Sequence, residues 1–286
     1  MNASTISDNS TLSAALARWR RGKPLLLSPA GIVLAVLVAS AILAPMLTPY
    51  DPVTPFPAEK LQPPSARHWF GTDPLGMDVF TRVLYATRID LTAAVASVLL
   101  GILVGAPLGA LAGYVRGWLD EALMRMTEIM QAFPQILFAM AIFAAVGSSV
   151  RNLVLILAFF HVPVYMRMVR SSALPLRESE FVLAARCAGH SPFSLVIKHI
   201  LPNALVPVFS QFSLSIAYTI QMIAGLSFIG LGVHVPQAEW GAMINLGAGY
   251  VIFGKWWPAF FPGLAAFVAS FALNGLGRRL KERLIK

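Results

Sequence analysis

Long apolar runs, rather than alternating polar and apolar positions, set the pattern of this chain. Six of them, at 28–47, 89–114, 126–146, 153–169, 204–231 and 257–276, approach or exceed the roughly 20 apolar residues that carry a helix across a bilayer. In lipid an open strand or loop leaves backbone groups unpaired, so each run is expected to be a helix. The predicted fold class is therefore all-α, a polytopic membrane protein with six transmembrane helices. A cytoplasmic N-terminus places 16 of the 22 Lys and Arg on the cytoplasmic side, including Arg18, Arg20, Arg21, Lys23, Arg177, Arg186, Arg278, Arg279 and Lys286. That bias predicts both termini inside. Ala39-Ser40-Ala41 resembles a signal-peptide cleavage site, but the polar leader before the first run is too long for an ordinary n-region. The first run is taken as an uncleaved helix, and Arg20-Arg21 alone does not make a twin-arginine signal.

Two connections are more than turns. Residues 48–88 are rich in proline (Pro49, Pro52, Pro55, Pro57, Pro63 and Pro64) and are expected to be ordered by packing. Residues 170–203 read as two short helices. Acids at Glu178 and Glu180 open the first, good helix formers follow, and Gly189 stands where a left-handed residue closes a helix. Ser191 is a candidate N-cap and Pro192 fits the first helical position of the second. Phe193, Val196, Ile197, Ile200 and Leu201 recur at spacings of three and four, which predicts one apolar stripe. A helix lying on lipid accounts for that stripe. It does not account for the small face of Ala184 and Ala185, which suits close approach by another protein.

Composition narrows the class. Apolar residues make up 57% and charged residues only 12%, about half the usual charged share of roughly 25%. The net charge of +9 lies at the ends of apolar runs instead of on a solvated face, which argues against nucleic-acid binding. A lone Cys187 leaves no partner for a disulfide or a cysteine metal site.

The loop residues resemble a known family. Ala184-Ala185, three residues, Gly189 and then Leu201-Pro202-Asn203 are similar to the "EAA" loop of binding-protein-dependent ABC importer permeases, which docks in a cleft of the cytoplasmic ATPase. The resemblance implies that residues 181–188 form the coupling helix, with Glu180, Phe181, Leu183, Ala184, Ala185, Arg186, Gly189, Leu201 and Pro202 as coupling residues. Leu183 stands where the motif usually has glutamate, and Glu180 is the nearby acid. The stretch from His68 through Gly71-Thr72-Asp73-Pro74-Leu75-Gly76-Met77-Asp78 to Arg82 looks like the outer segment of the C-type permease of dipeptide, oligopeptide and nickel importers, with Met77 in place of a common arginine. Leu226–Val233, Glu239–Met243 and Phe261–Leu264 are also family-like, so the match runs from about Pro29 to the C-terminus.

That resemblance implies the type I ABC importer permease fold in a bacterial inner membrane. It also implies a second homologous permease, two ATP-binding subunits and a periplasmic substrate-binding protein as partners. Peptide is the implied cargo, with nickel or another small solute such as an opine-like conjugate as the alternative. Three divisions are expected: a cytoplasmic tail over 1–27, a first helix with its outer segment over 28–88, and the permease domain over 89–286, with coupling helices at about 177–203.

Missing motifs agree with this division of labour. A P-loop requires Ser or Thr after the lysine, and both Gly22-Lys23-Pro24 and Gly254-Lys255-Trp256 lack it. No cofactor is therefore expected in this chain; ATP and magnesium belong to the partners. His68, His161, His190, His199 and His234 are scattered without ligand spacing, so no metal is expected either. His161 lies mid-span, either hydrogen-bonded in packing or touching substrate. Gly101, Gly105, Gly109 and Gly113 recur every four residues as a close-packing seam, continued upstream by Ser97 and Ala93, with Pro107 as a candidate kink. In the fifth run Gln211, Ser215, Tyr218 and Met222 make a polar stripe, either lining a path or bonding between helices. Glu128, about one turn inside the third run at its cytoplasmic end, is expected to snorkel or to pair with nearby Arg125. An ion-driven carrier calls for ionisable groups near the midplane, of which His161 is the one found. An intramembrane enzyme calls for a catalytic pair, and none appears.

Overall fold

The computed structural model describes residues 28–285; Arg18, Arg20, Arg21, Lys23 and Lys286 of the topology count lie outside them. Among the described residues the fold is all-α, with one isolated bridge between Thr72 and Asp78. The helices are α1 (Pro29–Leu47), α2 (Val79–Val115), α3 (Gly117–Ala132), α4 (Gln135–Val146), α5 (Val150–Leu176), α6 (Glu180–Cys187), α7 (Pro192–Leu195), α8 (Leu201–Ala204), α9 (Val206–Phe228), α10 (Trp240–Ala248) and α11 (Trp257–Ile285). Five of them (α1, α2, α5, α9 and α11) are long and apolar enough to cross a membrane, and α3 with α4 makes a sixth only as a bent pair.

The expected straight span over 126–146 is corrected by that bend. α3 and α4 meet at 85°, because Pro134 disfavours the helical region for the residue before it and Phe133 is extended at φ −96° and ψ 140°. Other spans differ at their ends. α2 starts ten residues before the expected 89, where Asp78 Oδ1 accepts the Thr81 N–H at 2.7 Å. At 37 residues and about 1.5 Å per residue it is far longer than the roughly 30 Å hydrocarbon core, so it projects beyond the membrane. It is continuous through Pro107. The fifth run starts as α8, breaks at Leu205 and continues as α9.

α2 and α5 form the centre of the fold. Gly101, Gly105, Gly109 and Gly113 are buried on one side of α2, and each faces the α5 backbone. A Cβ at Gly105 would lie 2.5 Å from the Val162 carbonyl oxygen, and one at Gly113 would lie 2.9 Å from the Arg170 carbonyl. Those separations leave room for hydrogen only, so the glycines let two backbones touch within one subunit. α9 packs on α11, and α10 lies against both. By contrast α1 has few buried residues and turns most of its apolar surface outward.

Gly105→Leu is expected to destabilise the protein by at least about 2 kcal/mol, since overpacking at a rigid contact forces backbone to move. Gly249→Ala, at a position where a Cβ meets nothing within 4 Å, is expected to be silent. Thermal unfolding of the two variants in one detergent checks this; equal melting temperatures would show that the seam is loose.

Candidate functional site

The loop between α5 and α9 is built from local signals. Glu180 lies in the first turn of α6 and Arg186 in its last, each favourable to the helix dipole. Gly189 has φ of 84°, the left-handed region open to glycine. Its N–H donates to the Arg186 carbonyl at 3.1 Å and the His190 N–H to the Ala185 carbonyl at 3.2 Å, which together make a Schellman closure. Ser191 then caps α7 by accepting the Ser194 N–H at 3.3 Å, and Pro192 fills the first helical position.

The single apolar stripe expected after Pro192 is not formed. Leu195, Val196 and Ile200 are buried, whereas Phe193 is 73% exposed and Ile197 faces out with it. Residues Val196–Ile200 form a π-helical turn. Pro202 has no N–H to give to Lys198, and the Leu201 N–H reaches back to Val196 instead. The wider turn shifts the phase, so positions four apart no longer share a face. Leu201 and Pro202 are half-buried at the start of α8.

α6 itself is held lightly. Of its eight residues only Val182 is fully buried, and Ala185 is half-buried. Glu180, Phe181, Leu183, Ala184 and Arg186 point outward. The guanidiniums of Arg177 and Arg186 lie 6.0 and 5.8 Å from the ring centre of Tyr114, which stands at the end of α2. Nearby, Arg170 on α5 makes a two-pronged pair with Asp120 on α3, at 2.5 and 2.6 Å, and Arg167 donates to Thr127 at 3.0 Å. Glu128 pairs with Arg125 at 2.8 Å on the exposed side of α3.

The polar stripe of α9 divides. Ser213, Ser215 and Thr219 are buried; Ser213 donates to the Leu273 carbonyl and Thr219 to that of Ser215, both at 2.7 Å. Tyr218 and Gln221 are exposed on the other side, with Gln211 and Met222 half-buried beside them. The Tyr218 hydroxyl donates to Gln135 at 2.5 Å, and Gln135 opens α4 just past the 85° bend. His161 is buried, with Nε2 2.7 Å from Thr219 Oγ1. Thr219 has one proton and gives it to a carbonyl, so His161 must donate through Nε2–H. Its geometry is that of a packed, hydrogen-bonded side chain joining α5 to α9.

A second polar cluster, at the opposite end of α2, has no counterpart among the expected site residues. Arg82 is fully buried and donates to the carbonyls of Pro52 at 2.8 Å, Pro236 at 3.0 Å and Gln237 at 3.3 Å. Asp73 lies 3.5 Å from its Nε and has its carboxyl pushed up by burial, with Arg82 and three backbone N–H groups opposing the rise. These bonds order residues 48–78, which contain little helix. Deeper in α2, Asp90 accepts the Trp240 N–H at 3.1 Å and stands against Glu239. Glu239 caps α10 through the Gly241 and Ala242 N–H groups at 2.7 and 2.8 Å. Asp90 lies near the start of the run 89–114, away from the mid-span position of His161, and is not among the expected site residues. Its signal was available, a lone acid at the edge of the run 89–114. The 148 positions between Asp90 and Glu239 hid the pairing.

Comparison with known proteins adds a family. The family described as binding-protein-dependent transport system inner membrane component matches residues 105–286, and the N-terminal TM domain of oligopeptide transport permease C matches residues 13–64. The glutathione transport system permease protein GsiD of Pectobacterium atrosepticum is 40% identical over 256 residues, 89% of this chain and 85% of its own length. The dipeptide transport system permease protein DppC of Alkalihalophilus pseudofirmus is 38% identical over 253 residues, 88% of this chain and 83% of its own. The probable D,D-dipeptide transport system permease protein DdpC of Escherichia coli is 38% identical over 92% of this chain and 88% of its own. Among solved structures, a chain of the MetNI methionine ABC transporter in inward-facing conformations has the same fold, with a TM-score of 0.53 at 18% identity over 70% of this chain and 96% of that one.

Burial pushes the Glu239 carboxyl above its ordinary value, with the capping N–H groups and the hydrogen bonds from Ser227 and Asp90 opposing the rise. A raised acid binds its proton more tightly when folded, so the folded state loses stability as pH climbs above the ordinary value near 4.5. Glu239→Gln keeps the side chain's length and one acceptor for the cap and removes the carboxyl that holds its proton more tightly when folded. Its melting temperature relative to the parent's is expected to rise by about 2–4 °C between pH 5 and pH 8, the shift for about 1 kcal/mol in a chain of this size. Parallel melting curves for variant and parent from pH 5 to 8 would contradict this.

Proposed function

The chain belongs to the family of binding-protein-dependent transport system inner membrane components, and on that premise we propose how it couples and what it carries. It is a permease subunit of an ABC importer, a multi-pass inner-membrane protein in which ATP hydrolysis falls to partner subunits. The cargo in our reading is a short peptide, since relatives sharing about two-fifths of its residues are named for glutathione and dipeptides. The partners are a second homologous permease, two ATP-binding subunits that hold ATP and magnesium, and a periplasmic binding protein that delivers the peptide. Both termini face the cytoplasm in this reading, supported by the Lys and Arg bias. Residues 1–27 are then a cytoplasmic tail, 28–88 the first helix with its outer segment, and 89–286 the permease domain.

One observation carries the coupling assignment: α6 is a closed, capped helix that buries one valine and turns Phe181, Leu183 and Ala184 to the outside. An exposed aromatic and aliphatic face beside small residues suits a protein cleft better than water. Glu180 and Arg186 flank that face, so a charged contact survives although Leu183 replaces the usual glutamate. Arg186 rests on Tyr114, which links a push on α6 to the end of α2, and α6 follows α5 directly in the chain. For the path itself we assign the exposed side of α9, Tyr218 with Gln211 and Met222, where the bend between α3 and α4 leaves Gln135 facing it. His161 joins α5 to α9 behind that surface, with its Nδ1 left as an acceptor.

Gly189→Val is expected to keep the spans inserted and to abolish ATP-dependent peptide uptake, by tenfold or more. A non-glycine residue in the left-handed region costs on the order of 1–2 kcal/mol. Space is no obstacle, since a Cβ there meets nothing within 4 Å, so the change acts by opening the helix closure. Uptake into vesicles and co-purification of the ATP-binding subunits are the measurements. Full uptake by both Gly189→Val and Ala185→Asp at normal expression would remove the loop as a coupling element and favour an ion-driven carrier.

Membranes holding this chain and its partner permease alone are expected to show no ATP hydrolysis, and the ATP-binding subunits are expected to restore it. Hydrolysis by the purified single chain would overturn the assignment.

A further inference from the structure

We propose that the cleft between α1 and α11 binds one anionic phospholipid. The cleft has a volume of about 740 Å³. At its floor the two helices come close together: a Cβ at Gly275 would lie 3.1 Å from that of Ala30. Val33, Phe267 and Phe271 form apolar walls, and the two phenylalanine rings stack with centres 6.0 Å apart. Arg278, Arg279 and Glu282 stand at the mouth.

Depth and charge together select the occupant. From Trp257 to Arg278 α11 rises about 31 Å, at 1.5 Å per residue, which is the thickness of the hydrocarbon core. With tryptophans at one boundary, Arg278 and Arg279 fall at headgroup level on the other. Phe271 and Phe267 then lie about 10 and 16 Å deeper, the reach of an acyl chain within one leaflet. Phe267, Arg278 and Arg279 lie four, seven and eight positions from Phe271, which sets all four on one side of α11. The cleft therefore offers a lipid an apolar slot for its chain and two guanidiniums for its phosphate.

Both arginines are exposed, and among the described residues neither is held by a carboxylate. Phenylalanines left open at this depth, each more than 60% exposed, face lipid in any case. The leader of this chain is a poorer occupant, because residues 1–27 carry Arg18, Arg20, Arg21 and Lys23 against the single acid Asp8, and like charge repels at the mouth. A zwitterionic lipid fills the slot but brings no net charge to the arginines.

Native mass spectrometry of the purified importer complex, exchanged into phosphatidylglycerol or phosphatidylcholine of equal chain length, tests the site. One phosphatidylglycerol per copy of this chain is expected to survive at activation energies that strip phosphatidylcholine. The double variant Arg278→Gln with Arg279→Gln is expected to weaken its retention roughly thirtyfold, from about 1 kcal/mol for each basic residue near an anionic surface. Val33→Trp, which fills the slot and leaves the arginines, is expected to displace it as well, and intact subunit stoichiometry shows that either variant is assembled. Inorganic phosphate at millimolar concentration is expected not to compete, since it has no chain. Equal retention of the two lipids, or retention unaffected by both variants, overturns the proposal. So does displacement by phosphate alone, or lipid that binds only after residues 1–27 are removed, which would make the leader the occupant. Peptide uptake is not the readout, so failure here leaves the transport assignment untouched.

Discussion

Direct contact between the backbones of α2 and α5 is the constraint on which the rest of the fold depends. In lipid, helices gain little from hiding apolar side chains from one another, since the tails are as apolar as leucine. What is left is close packing and interhelical hydrogen bonding, and four glycines at spacing four give the first over about 18 Å of helix, at 1.5 Å per residue. Once α5 is set against α2, His161 is placed at Gly101 and can reach Thr219 on α9. Arg170 likewise lies beside Gly109 and Gly113, within reach of Asp120 on α3. The seam thus positions the polar side chains that fasten the neighbouring helices.

α2 also carries the two ends of the molecule. Its first turns hold Asp78, Arg82 and Asp90, which organise residues 48–78 and the turn into α10. Its last holds Tyr114, beneath the two arginines of the loop. The two ends differ in kind. Arg82 is fully buried and answered by three carbonyls and a carboxylate, so the outer segment is fixed by charge-assisted bonds worth about twice a neutral one, about 1.5–3 kcal/mol each. The loop end rests on exposed cation–π contacts of about 0.5–1 kcal/mol. One helix is anchored firmly at one end and lightly at the other.

Much of this was legible in the chain, because local signals dominate where they appear. Gly189, Ser191 and Pro192 marked a helix stop and start by conformational preferences that need no tertiary partner. The glycine seam was legible for a similar reason, since spacing four on a helix can mean only one side. What failed were features that compete with a local rule. Pro134 lies in a continuous apolar run, and hydropathy averaged over it into one span, although the residue before a proline resists the helical region. The stripe after Pro192 was read from spacing alone, but Pro202 acts backward, into the π turn that breaks it. The polar residues of α9 read as one face because helical spacing is insensitive to which way the helix is turned. Ser215 is buried and Thr219 points inward to bond the Ser215 carbonyl, while Tyr218 points out. The Asp90–Glu239 pair was beyond pattern reading altogether, for nothing near either acid names the other.

The weakness of the loop end has a mechanical consequence. Burying Val182 is worth about 1.5–3 kcal/mol, and the two cation–π contacts add about 1–2 kcal/mol together. A protein surface closing on Phe181, Leu183 and Ala184 can match that sum by burying a comparable apolar area. α6 is therefore able to move with a docked partner without being pulled from it, whereas α2 and α5 cannot slide past each other without lifting a backbone off the glycines. Motion imposed at α6 has to leave the α2–α5 pair as one rigid body. It can be taken up where the chain is already broken: at Leu205 between α8 and α9, at the π turn before Pro202, and at Phe133 between α3 and α4. Two of these joints bound α9 and α4, the helices that present Tyr218 and Gln135 to each other. In the proposed reading, a push on the loop is directed, by the distribution of stiffness alone, to the α9 surface we assign to the path.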